Sequence, residues 1–131
     1  MHNSTLKKPA ARGLKRIINA GRYSVQGLHA AWQNEEAFRQ ELLLCLILIP
    51  SAFWLGQTPL HTVMLIAPCI LVLISELANS AIETIVDHHS TEQHPLAGQA
   101  KDIGSAMVFV AITFTVLVWI YFGLHRFGLI T

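Results

Sequence analysis

The chain has 131 residues, of which 53% are hydrophobic and only 13% charged, a balance that excludes an ordinary soluble domain and points to the bilayer as solvent. Three crossings of a hydrocarbon core about 30 Å thick, at roughly 20 apolar residues each, take up most of this length and leave no room for a separate soluble domain. The formal charge of +1 is unevenly spread, because Lys7, Lys8, Arg12, Lys15, Arg16, Arg22 and Arg39 all precede the first apolar run. By the positive-inside rule that end is cytoplasmic, and no nucleic-acid partner is expected.

Residues 1–9 are polar and basic without period, and Pro9 can open a helix at its first turn, where no N–H is lost. Over residues 10–33 the apolar positions Leu14, Ile17, Ile18, Gly21, Val25, Leu28 and Trp32 recur at steps of three and four. Arg12, Lys15, Arg16, Arg22 and Gln26 fall on the opposite side, so the segment reads as a helix lying on the membrane surface. No small-residue cleavage site follows a short apolar core, and the segment is expected to be retained.

A polar stretch then leads into a first predicted span over residues 36–56, with Pro50 inside it, Trp54 suited to the far boundary, and the turn-prone Gly56-Gln57-Thr58-Pro59 closing it. The second span is predicted over 60–87, with its apolar run continuing in helical register into Ser75 to Asp87. Residues 88–102 read as a polar cytoplasmic loop carrying Pro95 and Gly98, with Asp102 suited to cap the third span over 103–125. Within that span Ile103 to Leu124 carries no charge at all. Cys45 and Cys69 lie inside apolar runs, where free cysteine behaves as a small hydrophobe.

At 100° per residue, Glu76, Asn79, Ser80, Glu83 and Asp87 share one arc of a helix, opposite Ala78, Ala81, Ile82 and Ile85. An ionisable group within a membrane helix costs roughly 2.5–3.5 kcal/mol on insertion scales, so such a stripe marks a site, a wet cavity or a cation. Glu35, Glu36, Arg39, Gln40 and Glu41 form a second cluster before the first span. Both clusters fall at the cytoplasmic interface, where Glu35 and Glu83 together suit a hard cation such as Mg2+. Lys101 can neutralise phosphate charge, and a Lys, two metal carboxylates and a further carboxylate match the needs of phosphoryl transfer. The Walker loop and the protein-kinase signatures are missing. His88, His89 and His94 lack supporting ligands and read as solvated or as a ligand contact.

Three segments, NEEAFRQE (Asn34 to Glu41), ELANSAIETIVD (Glu76 to Asp87) and AKDIGSA (Ala100 to Ala106), resemble in order and spacing the motifs of the prokaryotic diacylglycerol kinase family. The resemblance runs from about Arg16 to the end of the third span. It implies an all-α membrane protein with an N-terminal amphipathic surface helix and three transmembrane helices, assembled as a homotrimeric helical bundle with sites shared between subunits. It further implies that Glu76 acts as general base and that Glu35 and Glu83 hold the metal. Arg16, Tyr23, Asn79, Glu92, His94, Lys101 and Asp102, together with those two carboxylates, match nucleotide-side positions. Contacts to the lipid substrate are implied at Arg16, Ala20, Ser24, Ala30 and Trp32, and at Arg39, Gln40, Glu76, Ser105 and Trp119. The sequence departs from the family pattern at Arg22, where a Gly is common, and at His29, where an Arg is common.

The expected activity is therefore ATP-dependent phosphorylation of diacylglycerol to phosphatidic acid, with Mg2+, in the bacterial inner membrane. Undecaprenol kinases share these motifs and differ in acceptor. A small proton- or cation-conducting oligomer would also use an acidic stripe, but would spread its acids through the membrane depth and leave Lys101, Asp102 and Glu35 without a role. A purely structural protein would have no need of buried carboxylates.

Overall fold

The amphipathic segment forms helix α1 (Leu14–Asn34) in a computed structural model that describes residues 13–89 and 94–131. Its apolar stripe is not covered by the other described residues: Leu14, Ile17, Ile18 and Val25 are all more than 60% exposed, as suits a helix bedded in a membrane surface. The predicted start of this helix at residue 10 lies outside the described residues.

One extended residue, Glu35 (φ −112°, ψ 108°), separates α1 from helix α2 (Glu36–Leu55). Arg39 fastens this corner, its Nη1 donating to the carbonyls of Trp32 (2.8 Å) and Gln33 (3.2 Å) at the end of α1. A guanidinium there satisfies carbonyls that the helix end leaves open and meets the negative end of the helix dipole.

Helix α3 (Pro59–His89) starts after a tight turn in which Thr58 Oγ1 accepts from His61 N–H (3.2 Å) and Pro59 fills the first helical position. Gly56 is required here by close approach. A Cβ on it would lie 2.5 Å from Thr62 Oγ1 and 2.9 Å from both Ala52 O and Thr62 N, and two of those atoms are backbone. Gly56→Ala is expected to lower stability by about 1–3 kcal/mol; thermal unfolding in detergent reads this, and an unchanged unfolding temperature would contradict it.

Helix α4 runs from Pro95 to Arg126, which corrects the predicted loop. Residues 95–102 are helical rather than looped, and α3 itself continues through His89. Pro95 takes the first helical position and His94 caps the helix, its Nδ1 accepting from Leu96 N–H at 3.3 Å. Asp102 is consequently an interior helical residue and not a cap. The polarity that marked this stretch as loop reflects a helix emerging into water.

Described residues contain these four helices and no strand. α3 packs along α4 and α2 packs along α3, while α2, α3 and α4 are each long and apolar enough to cross a membrane. At 1.5 Å per residue the 31 residues of α3 extend about 46 Å, some three turns beyond a hydrocarbon core of about 30 Å. A tight cluster of Ala52, Leu55, Leu65 and Phe122 holds the far end of the bundle together, and Trp119 Nε1 donates across it to Leu65 O (3.1 Å). Cys45 and Cys69 are both buried and free, as their apolar surroundings predict.

Candidate active site

The polar end of α3 holds the acidic arc singled out from the sequence. Glu76 is 6% exposed, Asn79 8% and Ser80 8%, so the arc predicted from helical period faces the neighbouring helices and not the surroundings. Glu83, one turn further on, is half-buried, and Asp87 is exposed. Asn79 Nδ2 donates to Glu83 Oε1 at 3.2 Å, tying the amide to that carboxylate. Glu35, at the α1–α2 corner, and Glu83 both lie close enough to Glu76 for their charges to act on it. The cluster before the first span and the arc of α3 thus lie within electrostatic reach of each other.

Glu35 also borders a cavity of about 630 Å³ between α1 and α3, shared with Ser24, Ala30, Ala31, Leu77 and Ser80. Its lining is mostly apolar with a few hydroxyls at its edge, suited to an amphiphile. Lys101 stands on α4 and bonds Asp87 Oδ1 at 2.7 Å. Both partners are substantially exposed, so the pair orients Lys101 more than it stabilises the fold.

Glu83 and Glu35 carry hard carboxylate oxygens. Asn79 Oδ1 is buried without a hydrogen-bond partner. Among the described residues no three His, Cys, Asp or Glu side chains converge as a ready-made metal cage. Two carboxylate side chains fit a hard cation such as Mg2+, which takes one or two carboxylates and completes its shell with substrate phosphates and water.

Not every residue implied by resemblance gathers here. Ser24 and Ala30 border the cavity, whereas Arg16, Ala20 and Tyr23 are exposed on α1 and do not. Trp32 and Gln40 are exposed, with Gln40 Nε2 bonded to Glu36 Oε1 at 3.2 Å, and Arg39 is occupied at the corner. Ser105 and Asp102 are exposed on α4. Trp119 packs at the depth of Leu65, about 16 Å along α3 from Glu76, too far to touch the reacting centre. His94 serves as a helix cap, and Glu92 lies outside the described residues.

The sequence places Glu41 in the cluster before the first span but gives it no place at Glu76. Glu41 projects from α2 with Oε2 buried and without a hydrogen-bond partner among the described residues, near enough to Glu76 for that carboxylate's charge to act on it. Its spacing held a signal. Phe38, Cys45 and Ala52 form the buried face of α2, and Glu41, three residues after Phe38 and four before Cys45, falls on that face.

Fold and site together define a multi-pass membrane protein whose carboxylates converge at one end of a helix bundle, beside a cavity open to amphiphiles. The chain belongs to the prokaryotic diacylglycerol kinase family, whose model matches residues 22–122. It is 50% identical to a diacylglycerol kinase of Haemophilus influenzae, over 82% of this chain and 91% of that protein. It is 52% identical to one of Pseudomonas aeruginosa, over 82% and 87% of the two chains. Against that of Escherichia coli the figure is 47%, over 85% and 95%.

Proposed function

We propose that this protein transfers the γ-phosphoryl group of MgATP to the free hydroxyl of diacylglycerol, giving phosphatidic acid and ADP. The observation that carries this reading is a buried carboxylate, Glu76, flanked by two further carboxylates at the polar end of a transmembrane helix, in a chain whose relatives are named diacylglycerol kinases.

The acceptor enters from the bilayer beside α1, with its acyl chains in apolar surroundings and its hydroxyl at Glu76. Glu76 accepts the hydroxyl proton as the lipid oxygen bonds to the γ-phosphorus and the bond to the ADP oxygen breaks. The proton then passes from Glu76 to water. Glu35 and Glu83 would hold Mg2+, which when bound would neutralise phosphate charge. Asn79 keeps Glu83 in place, and Lys101, steadied by Asp87, faces the nucleotide phosphates with Asp102 beside it. Arg16, Tyr23, Glu92 and His94 complete the nucleotide side. The lipid contacts are those of the α1 stripe and the α1–α2 corner.

The active end is cytoplasmic, with the N-terminus on the same side, in a bacterial inner membrane. The exposed apolar faces of α2, α3 and α4 are shared between lipid and two further copies in a homotrimer, which brings exposed α1 residues of one copy toward the acids of another.

Transfer of labelled γ-phosphate to diacylglycerol and, in parallel, to undecaprenol in mixed micelles tests this. Label in phosphatidic acid is the expected result. Label only in undecaprenyl phosphate would keep the chemistry and change the acceptor, and label in neither would reject the kinase.

A further inference from the structure

Helices α3 and α4 come close together where Asn79 meets Gly104. Gly104 is buried, and a Cβ built on it would collide with Asn79 Oδ1 and come within 3.3 Å of Asn79 Cγ, whereas the next neighbour, Ile82 Cδ1, stands at an ordinary 3.7 Å. The tight contacts that a side chain at residue 104 would make are thus with one amide. That amide is 8% exposed, its Oδ1 has no conventional donor, and its Nδ2 reaches Glu83 Oε1 at 3.2 Å. A carbonyl oxygen set against a glycine Cα is a recurring close contact between helices, in which the Cα–H donates weakly.

Asn79 is four residues before Glu83 on the same helix, so an unconstrained amide has several rotamers open to it, of which few reach the carboxylate. Gly104 removes that freedom, because with Oδ1 seated on its Cα the NH2 group is aimed along α3 at Glu83. We propose that Gly104 is a positioning residue for phosphoryl transfer: its missing side chain seats the Asn79 amide, which in turn holds the Glu83 carboxylate for the cation. The inference rests on the kinase reading and on Glu83 as a metal carboxylate. It makes the α3–α4 approach, and not Asn79 alone, part of the nucleotide site.

The test is a double-mutant cycle on the purified protein in mixed micelles, with Gly104→Ala, Asn79→Ala and the two combined. Steady-state kinetics are measured against Mg2+, ATP and diacylglycerol. Gly104→Ala is expected to raise the half-saturating Mg2+ concentration about 10- to 100-fold, the range seen when the hydrogen-bond partner of a metal ligand is displaced, while the KM for diacylglycerol stays within about twofold. Once Asn79 is alanine the nearest side-chain atom left to the added methyl is Ile82 Cδ1, at an ordinary contact distance. The double variant should then match Asn79→Ala within about twofold, a strongly non-additive cycle. Losses that multiply, an equal rise in the lipid KM, or a Gly104→Ala protein with wild-type magnesium dependence would each overturn the proposal.

Should Gly104→Ala fail to fold, the Asn79→Ala background decides. A folded double variant supports the seat, and a double variant that also fails shows that something other than Asn79 excludes the Cβ. A wild-type protein that phosphorylates no lipid defeats the kinase reading separately. The seat is then read from unfolding temperatures alone, where Gly104→Ala should be costly beside Asn79 and harmless beside alanine.

Discussion

Glu76→Gln is expected to lower phosphate transfer to diacylglycerol by about 10²- to 10⁴-fold, the usual contribution of a positioned general base. The substitution keeps the size and shape of the side chain and removes its ability to take a proton. Because Glu76 is buried and the Glu35 and Glu83 carboxylates lie near enough for their charges to act on it, glutamine also removes a charge that those neighbours repel. The variant should therefore unfold at the same temperature as the wild type or a higher one. Activity and stability moving in opposite directions is the mark of a group kept for chemistry and not for the fold. Glu76→Asp retains the base but withdraws it by one methylene, and should recover part of the rate. A folded Glu76→Gln protein with full activity would remove Glu76 from the mechanism.

The second large effect concerns the cation. Carboxylates held together without a counterion oppose folding, and a ligand that binds only the folded protein stabilises it by about 2.7 kcal/mol at a hundred times its dissociation constant. Mg2+ should accordingly raise the unfolding temperature of the wild type. Glu83→Gln should abolish most of that rise and move half-saturation for activity to at least about tenfold higher Mg2+. In the absence of divalent ions the order reverses: the Glu83→Gln protein should be the more stable of the two, because repulsion with Glu76 is relieved and the Asn79 amide can still bond the new side chain. Thermal unfolding with and without Mg2+ distinguishes these cases. An identical Mg2+ response in both proteins would show that Glu83 does not hold the ion.

Much of the site is legible in the residues themselves. The acid arc of α3 follows from a period of 3.6 residues, and its depth follows from counting apolar residues up to Glu76. The meeting of Glu35 with that arc follows from topology, since a surface helix and a returning span end at the same interface. The start of α4 is not legible in the same way. Once a helix leaves the bilayer it has no hydropathy to announce it, and the polar residues of 95–102 read as loop until Pro95 and the His94 cap are seen in place. Arg39 reads from sequence as one charge in an interfacial cluster, whereas its two bonds to the α1 carbonyls make it the clamp that fixes Glu35.

Composition and local period alone determine the solvent of this protein, its three apolar helices, its amphipathic arm and the stripe of acids at one end of α3, because each depends only on neighbours along one helix. Which faces meet depends on the rotation and stagger of whole helices, settled by many packing contacts at once. Tertiary structure alone therefore decides that Glu41 turns inward toward Glu76, that Lys101 finds Asp87, and that Gly104 comes to rest against Asn79.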